Sequence, residues 1–299
     1  AATILRIGRR YKPASLEIRR ALDGLEKKGL FAGLRGDTKK AIRDYQKAGP
    51  TADARKGAVF VLDRTVDRVL PGGALLQLTH QIIHLRSKAD LKRWGQVTVP
   101  DGVEVLKLRT IKADLSIREP EERSATEPIT LANLEVGDFV ELENKVSRPP
   151  LAVLEGGFMG RRFYFQSGAG AMHRSEYLLV TPPNLKVQID VRGNAPTPSI
   201  EHREDVTVRA WKARGRARLE SEPHSPPPQA VVSSVRTAAH VTWQKLARMV
   251  RAKLLHTDRA GHAMRSLAQR LCSRKTTLER ARAVYRWVNT HIEQSGSLY

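Results

Sequence analysis

The spacing of the apolar residues changes twice along this 299-residue chain, and that change limits what the chain can fold into. Residues 1–55 and 226–299 place apolar side chains three and four positions apart, which is typical of helices with one buried face. Residues 56–225 alternate apolar and polar side chains in short runs, which is typical of half-buried strands. We therefore expect an α+β protein in which an antiparallel β-sandwich is flanked by an N-terminal and a C-terminal helical segment.

Two helices are predicted in the N-terminal segment, residues 1–55. The first has apolar residues at helical spacing around Leu22, and Gly29 is a candidate for its C-cap. The second follows Asp37, a candidate N-cap, and ends at Gly49-Pro50. Its apolar stripe resembles one helix of a tetratricopeptide repeat, and an ordinary helical linker is the alternative interpretation.

The central segment, residues 56–225, opens with two predicted strands between Ala58 and Leu85. The turn sequence Pro71-Gly72-Gly73 separates them. Further short strands are predicted at residues 162–165, 177–180, 186–191, 207–211 and 217–220. The proline-dense stretch from Pro223 to Pro228 is the expected linker to the C-terminal segment.

Two other predicted strands carry charged residues at alternate positions. In one strand, Lys107 and Arg109 alternate with leucines. In the other, Glu141 and Glu143 alternate with Val140 and Leu142. A two-residue period places neighbouring side chains on opposite faces, so we expect the aliphatic residues in the core and the charges in water.

Three helices are predicted in residues 226–299, each with one apolar stripe. The stripes are Trp243, Leu246, Val250 and Leu254; Met264, Leu267 and Leu271; and Leu278, Ala281, Tyr285, Val288 and Ile292. The last helix is expected to begin at a capping box formed by Thr276 and Glu279.

This order of elements resembles a bacterial family in which a β-sandwich domain of unknown function precedes a transglutaminase-like domain. The resemblance covers residues 56–299. Its motifs are the strand Leu106–Lys112, the strand entry Asn133–Glu141, the closing segments Arg209–Trp211 and Pro226–Pro228, Trp243, and the helix Ala283–Ile292. Two positions depart from the family pattern: Ala113-Asp114-Leu115 replaces its Pro-Asp-Gly turn, and Glu293-Gln294 follows Ile292 where the family has a nearby Tyr.

The resemblance implies a division of labour between two parts of a longer protein. Transglutaminase-like domains use a Cys-His-Asp triad whose Cys lies at a helix N-terminus, where the thiolate is stabilised. That Cys lies beyond the helix Ala283–Ile292 in the family, so we expect the triad to lie past Tyr299. The chain begins with Ala1 rather than Met, and we expect it to be a fragment.

The predicted function is therefore that of a non-catalytic accessory or interaction domain of a bacterial transglutaminase-like protein, whose parent is a cysteine protease, amidase or acyltransferase. The expected partners are the downstream transglutaminase-like domain of the same parent chain and a protein or peptide bound at a sheet edge. No catalytic, cofactor-binding or metal site is predicted, and no cofactor. No run of about 18 apolar residues is present, so no transmembrane segment is expected. The compartment of the parent protein stays open.

The net charge of +21 supports an alternative function. Residues 1–48 carry a net charge of +8 and residues 240–290 carry +10, so the middle of the chain is almost neutral. Basic helical ends can bind nucleic acid or an anionic surface. The other interpretation is that these charges lie on the solvated faces of arginine-rich helices.

Several residues that could perform chemistry are assigned structural roles. Cys272, the single cysteine, is expected near a helix C-terminus, where the helix dipole disfavours a thiolate. The other candidates are His80 with His84, His256 with His262 and Asp258, Glu119 with Glu121 and Glu122, the glycines at 156–157 and 168–170, and the basic run Arg209, Lys212, Arg214, Arg216 and Arg218. The histidine groups hold fewer ligands than a zinc site needs or lie in a predicted turn, and the glycines lack a phosphate-loop pattern. The basic run, beside Trp211, could hold single-stranded nucleic acid.

Overall fold

The computed structural model describes residues 16–27, 29–49, 57–120, 128–220, 228–257, 261–273 and 276–292. Its helices are α1 (Leu16–Lys27), α2 (Thr38–Ala48), α3 (Lys88–Trp94), α4 (Pro228–Val231), α5 (Trp243–Thr257), α6 (His262–Cys272) and α7 (Thr277–His291). Its strands are β1 (Val59–Val69), β2 (Leu75–His84), β3 (Gln96–Val97), β4 (Val103–Ile111), β5 (Ile117–Arg118), β6 (Ile129–Thr130), β7 (Phe139–Arg148), β8 (Phe158–Met159), β9 (Phe163–Tyr164), β10 (Ala171–Thr181), β11 (Gln188–Arg192), β12 (Ser199–His202), β13 (Thr207–Arg216) and β14 (Ser234–Ala239). The described residues form two compact units, 1–241 and 242–299.

One large sheet organises the first unit. Its eight strands follow the order β12-β13-β10-β1-β2-β7-β4-β5. Strands β1 and β10 are parallel, and every other neighbouring pair is antiparallel. The α+β class is confirmed. The sheet is mixed rather than purely antiparallel, because β1 and β10, which lie far apart in the sequence, run in the same direction.

The N-terminal segment covers one face of the large sheet, which we call the helix-covered face. Leu22 of α1, with Phe31 and Leu34 of the following turn, packs on Val66, Leu78 and other aliphatic residues of the sheet. The side chain of Asp37 caps α2 by accepting a hydrogen bond from the Lys40 amide, as the sequence predicts. Because Ile42 and Tyr45 of α2 are buried against β1 and β7, the N-terminal helices belong to the same unit as the sheet.

Two smaller elements pack on the opposite face, which we call the open face because a cavity lies between them. At one end, β8, β9, β11 and β14 form a small sheet, and Phe163, Phe165 and Val235 from this region pack on Tyr177 and Trp211 of the large sheet. At the other end, α3 and the short pair β3–β6 cover Phe60, Ile83 and Leu108, which join Ile129 in one cluster.

The predicted β1–β2 hairpin is confirmed, with its turn at Pro71-Gly72-Gly73. Residues 217–220, predicted as a strand, contain no strand. Most of the expected proline linker, residues 221–227, lies outside the described residues. Strand β14 follows that stretch and pairs with β8, β9 and β11, so the β-structure of the first unit continues beyond residue 225.

The second unit consists of α5, α6 and α7. Thr276 and Glu279 form the predicted capping box at the start of α7, with both reciprocal hydrogen bonds present. Helices α6 and α7 pack against each other. No helix in the described ranges combines the length and the apolar character needed to cross a lipid bilayer.

Candidate functional site

A buried ionic cluster lies beneath the N-terminal segment on the helix-covered face. Glu141 and Glu143 of β7 are fully buried at its centre. Nε2 of His80 lies 2.8 Å from Oε1 of Glu141, and the Thr38 hydroxyl donates to the same oxygen at 2.5 Å. Nε of Arg35 donates to Glu143 at 3.0 Å. Two chain segments about 100 residues apart are therefore joined through these carboxylates.

Basic residues of β4 complete the cluster. Nε of Arg109 lies 2.6 Å from Oε2 of Glu141, and Nζ of Lys107 lies 3.1 Å from Oε2 of Glu143. Burial raises the pKa of Glu141, but its hydrogen bond from His80 and the nearby charges of His80, Lys107 and Arg109 hold that pKa below its usual value. The pKa of Glu143 is also lowered, since the charge of His80 and the Arg35 hydrogen bond outweigh burial. Compensated charges of this kind hold a fold together and are not poised for proton transfer.

The expectation that these four charges face water is wrong. The alternation on β7 is present, but the face that carries Glu141 and Glu143 is covered by residues 29–48. On β4, a register shift between Val105 and Lys107 changes the alternation. As a result Leu106 joins the core of the helix-covered face, whereas Leu108 joins the core beneath α3. The sequence contains one signal for this cluster: β4 carries two positive charges and β7 carries two negative charges, both at a spacing of two residues.

A cavity of about 390 Å³ opens on the other face of the large sheet, between the small sheet and the α3 region. Asp63, Thr65, Thr79 and Gln81, from the adjacent strands β1 and β2, supply its polar side. Most of the remaining lining residues come from the β9 segment, residues 162–168; the full set is Phe60, Arg162, Phe163, Tyr164, Gln166, Ser167, Gly168, Met172, Leu219 and Val232. The cavity thus combines one acidic and one basic residue with polar, aromatic and aliphatic side chains, a composition common in ligand-binding sites.

Asp63 is the chemically distinctive residue of this cavity. Only 7% of its surface is exposed, and its Oδ1 accepts a hydrogen bond from Nε2 of Gln81 at 2.8 Å. Burial raises its pKa to about 6, and the Gln81 hydrogen bond only partly offsets that shift. Among the described residues no cation pairs with it. A buried carboxylate without a counter-charge beside a cavity is a candidate binding group.

Asp67, four residues along the same strand, is a contrasting case. Its Oδ1 accepts from Gln77 at 2.7 Å, which repeats the Asp63–Gln81 arrangement. Its Oδ2 accepts from the hydroxyl of Tyr177 at 2.9 Å, and that hydroxyl lies 2.8 Å from Oγ1 of Thr237 on β14. Both oxygens of Asp67 therefore have partners, and the Tyr177 hydroxyl links Oδ2 of Asp67 to Thr237 of the small sheet.

The predicted histidine pair on β2 has a structural role. His80 belongs to the ionic cluster. Nδ1 of His84 lies 3.0 Å from the hydroxyl of Tyr45, and its ring stacks on Phe139 with a centroid distance of 4.6 Å. Burial, aided by the charge of Arg86, lowers the pKa of His84 to about 4, so this imidazole is neutral at physiological pH.

Those of the other candidate residues that the structure describes do not form a site. Cys272 is the last residue of α6, as predicted. Asp258, Glu121 and Glu122 lie outside the described residues, as do the side chains of His256 and His262, while Glu119 is half-buried. In the described part of the chain, no group of three or more His, Cys, Asp or Glu residues could hold a metal ion.

The glycines occupy turns and close contacts, as expected. Gly156 has φ +81°, a left-handed backbone that favours glycine. A Cβ atom at Gly170 would lie 2.3 Å from the carbonyl oxygen of Ala58, so β10 approaches the start of β1 too closely for a side chain.

The basic run along β13 does not form one aromatic-backed surface. Lys212 and Arg214 are exposed, but Trp211 points to the opposite face and is fully buried against Tyr177. Gly215, with φ +61°, interrupts the alternation, and Arg218 donates to the Gly168 carbonyl. Stacking of a base on Trp211 is therefore excluded.

Exposed apolar side chains are concentrated on the helices of the second unit. Trp243 at the start of α5 is 85% exposed. On α7, Leu278 and Tyr285 are 61% and 70% exposed, and Val288 and Ile292 on the same stripe are also exposed. No residue of α7 is buried. The other described helices of the second unit therefore leave this predicted apolar stripe uncovered.

No protein-family model matches the sequence, and no curated protein is detectably similar to it in sequence. A solved structure shares its fold at low identity. A putative protease from Parabacteroides distasonis is similar over 78% of this chain, with a TM-score of 0.63 and 11% identity. An M1 zinc metallopeptidase E323A mutant from Deinococcus radiodurans aligns with 61% of this chain and 43% of its own, also at 11% identity. Its TM-score of 0.29 is too low to indicate a shared fold. The chain spans about half the length of the Parabacteroides distasonis protein, and at this identity the similarity extends to the fold alone.

Proposed function

We propose that this chain is the non-catalytic N-terminal part of a bacterial transglutaminase-like protein. In this proposal the first unit is a β-sandwich accessory domain, and helices α5–α7 are the opening helices of the catalytic domain. The Cys-His-Asp triad is supplied by residues that follow in the parent protein, and the accessory domain packs against that domain and shapes access to its cleft.

The observation that carries the proposal is the uncovered apolar stripe of α7. Leu278, Tyr285, Val288 and Ile292 recur at helical spacing, yet all four are exposed. Burial of one large apolar side chain contributes about 1.5–3 kcal/mol, so a helix that leaves four of them in water lacks most of its packing energy. A domain core that includes α7 would bury this stripe, and the proposed occupant is the remainder of the catalytic domain.

Two further findings support the proposal. The fold similarity to the Parabacteroides distasonis protein, described as a putative protease, covers most of this chain and only half of that one, which fits an accessory part joined to another domain. Cys272 ends a helix rather than beginning one, so it lacks the helix N-terminus that stabilises a nucleophilic thiolate.

The test begins with the reading frame that follows residue 299. We expect a Cys in a glycine-rich turn, followed by a His and an Asp. The downstream segment should then hydrolyse or transamidate amide substrates efficiently only when joined to residues 1–299, and residues 1–299 alone should show no turnover. Turnover by residues 1–299 alone, or a downstream sequence without a Cys, His and Asp set, would contradict the proposal.

Exposed arginines favour a second candidate, a module that binds nucleic acid or an anionic surface. They lie on the helices of the second unit: Arg248, Arg251, Arg270, Arg280, Arg282 and Arg286. Binding to duplex DNA or to anionic vesicles that weakens steeply with salt, and that is lost when Arg280, Arg282 and Arg286 are replaced by Gln, would favour this candidate. Absence of binding at low salt would eliminate it.

A further inference from the structure

Asp63 and Asp67 of β1 both face the open side of the sheet. Their Oδ1 atoms have equivalent hydrogen-bond partners, but their Oδ2 atoms do not. Each accepts a hydrogen bond on Oδ1 from a glutamine directly opposite on β2, Gln81 for Asp63 and Gln77 for Asp67. Oδ2 of Asp67 is held by Tyr177. Oδ2 of Asp63 accepts no hydrogen bond from any described residue, and the side chain lines the cavity. Beside Asp63 the structure therefore has a cavity, whereas beside Asp67 it has the hydroxyl of Tyr177.

The floor of the cavity is rich in oxygen atoms. Thr65 and Thr79, which flank Asp63 and Gln81 on the two strands, also line the cavity, with their hydroxyl oxygens 3.4 Å apart. A ligand that matches this floor must donate several hydrogen bonds and carry positive charge to compensate Asp63.

One part of the cavity wall is apolar and aromatic, and another part, with Gln166 and Ser167, is polar. Phe60, Phe163 and Tyr164 contribute rings, and Met172 contributes a thioether. Aromatic faces attract cations, and apolar walls bind a hydrocarbon chain. The charged residue of the rim, Arg162, is paired with Asp190 and also donates to the Ser234 hydroxyl, so its own charge is compensated.

These three features define one class of ligand. We propose that the cavity binds a primary alkylammonium group, with the ammonium donating to Asp63 and the neighbouring hydroxyls and the alkyl chain lying against Phe60, Phe163 and Met172. A cavity of about 390 Å³ accommodates a group of the size of a lysine side chain and excludes a folded peptide segment. The group comes either from a lysine side chain of a protein or from a free amine. This inference goes beyond the proposed function and does not depend on it.

The decisive comparison uses the full chain and two ligands of nearly equal shape. Nα-acetyl-lysine amide carries the ammonium, and Nα-acetyl-norleucine amide carries a similar chain without it. Calorimetric titration should show saturable binding of the lysine compound at least about 10-fold tighter than that of the norleucine compound, because a buried charge-assisted pair is formed only with the first. Equal affinities, or no saturable binding of the lysine compound, would overturn the inference.

Variants then locate the binding. Asp63→Asn preserves the shape of the side chain and removes its charge, so the affinity for the lysine compound should fall at least about 10-fold. Asp101→Asn, which removes an exposed carboxylate in a turn outside the cavity, is the matched control and should leave the affinity unchanged. Tyr164→Ala removes part of the wall, retains Asp63, and should weaken binding even where Asp63→Asn impairs folding. Unchanged affinity in both folded cavity variants would overturn the proposed location.

Two further measurements test how the affinity depends on pH and which kind of amine binds. Since burial raises the pKa of Asp63 to about 6, binding should weaken as the pH falls through that value. Arg162 and Tyr164 are the other charged or titratable residues that line the cavity. A lysine-containing peptide that binds more tightly than n-butylamine identifies a protein lysine as the source, and the reverse order identifies a free amine. Binding that strengthens with acid would contradict the role of the ionised carboxylate.

Discussion

The hydroxyl of Thr38, the first residue of α2, donates a 2.5 Å hydrogen bond to Oε1 of Glu141 in the middle of β7. Both residues are buried, and 102 residues separate them along the chain. This contact joins the N-terminal segment directly to a carboxylate that the large sheet would otherwise leave to His80, Lys107 and Arg109.

Replacing Thr38 by valine should lower the free energy of unfolding by about 1–2 kcal/mol, because Glu141 loses one donor while its charged partners stay. Urea denaturation monitored by circular dichroism measures the change. Thr197→Val, at an exposed position in the loop between β11 and β12, should change stability by less than about 0.5 kcal/mol. Equal losses in the two variants would show that the contact contributes nothing specific.

Replacing Glu141 by glutamine should be more damaging, with a loss of about 3–5 kcal/mol, since Arg109 and its neighbours would lose a buried counter-charge. Glu135→Gln is the control, because Glu135 pairs with Lys112 at an exposed position. Chemical denaturation of both variants at neutral pH gives the comparison. A loss in Glu141→Gln no larger than in Glu135→Gln would contradict a stabilising ionic cluster.

The contribution of Glu141 should disappear in acid. Its pKa in the folded state is held below the ordinary value of 4.5, so ionised Glu141 stabilises the fold above that value. The stability is lost as the pH falls through the lower folded pKa. The gap in unfolding free energy between the wild-type protein and Glu141→Gln should therefore narrow below pH 4.5. A gap that widens in acid would reverse the assigned sign.

Asp63 should show the opposite behaviour. Its folded pKa of about 6 lies above the ordinary value of 3.8, so the carboxyl binds its proton more tightly in the folded state and stability falls as the pH rises from 3.8 to about 6. Asp63→Asn should stabilise the ligand-free protein by up to about 3 kcal/mol above that range and have little effect below it. Thermal unfolding across pH measures this, with Asp101→Asn as the control. Destabilisation by Asp63→Asn at alkaline pH would contradict a buried, uncompensated carboxylate.

The exposed stripe of α7 should tolerate polar substitution. Tyr285→Ser should change the free energy of unfolding of the helical unit by less than about 0.5 kcal/mol, because this residue is 70% exposed. Leu267→Ser on α6, a half-buried position, should cost more. Circular dichroism reports stability, and binding of a hydrophobic dye should decrease in Tyr285→Ser. A large loss of stability in Tyr285→Ser would mean that the stripe is already packed.

Local features of the fold could be predicted from the sequence. Asp37 caps α2, Thr276 and Glu279 form a capping box, and Pro71-Gly72-Gly73 turns the β1–β2 hairpin. Each depends on residues within a few positions of one another, where turn chemistry and capping chemistry act directly.

The ionic cluster and the cavity could not be predicted because they depend on distant parts of the chain. Alternation on β7 shows that Glu141 and Glu143 share a face, but it does not show that Arg35 and Thr38 cover that face. In the sequence, Asp63 is noticeable as a charged residue directly after the apolar start of β1, which indicates a carboxylate next to the core. Its lack of a counter-charge depends on β9 and β10, which arrive 100 residues later.

The parallel pairing of β1 with β10 has a consequence for synthesis on the ribosome. Val59 pairs with Ala171, and Arg68 pairs with Val180, so one edge of β1 has no partner until more than 110 further residues have emerged. Until then only five of the eight strands, β1, β2, β4, β5 and β7, can pair, and the free edge of β1 stays open to other nascent chains. We therefore expect chains truncated before Thr181 to aggregate or to require a chaperone.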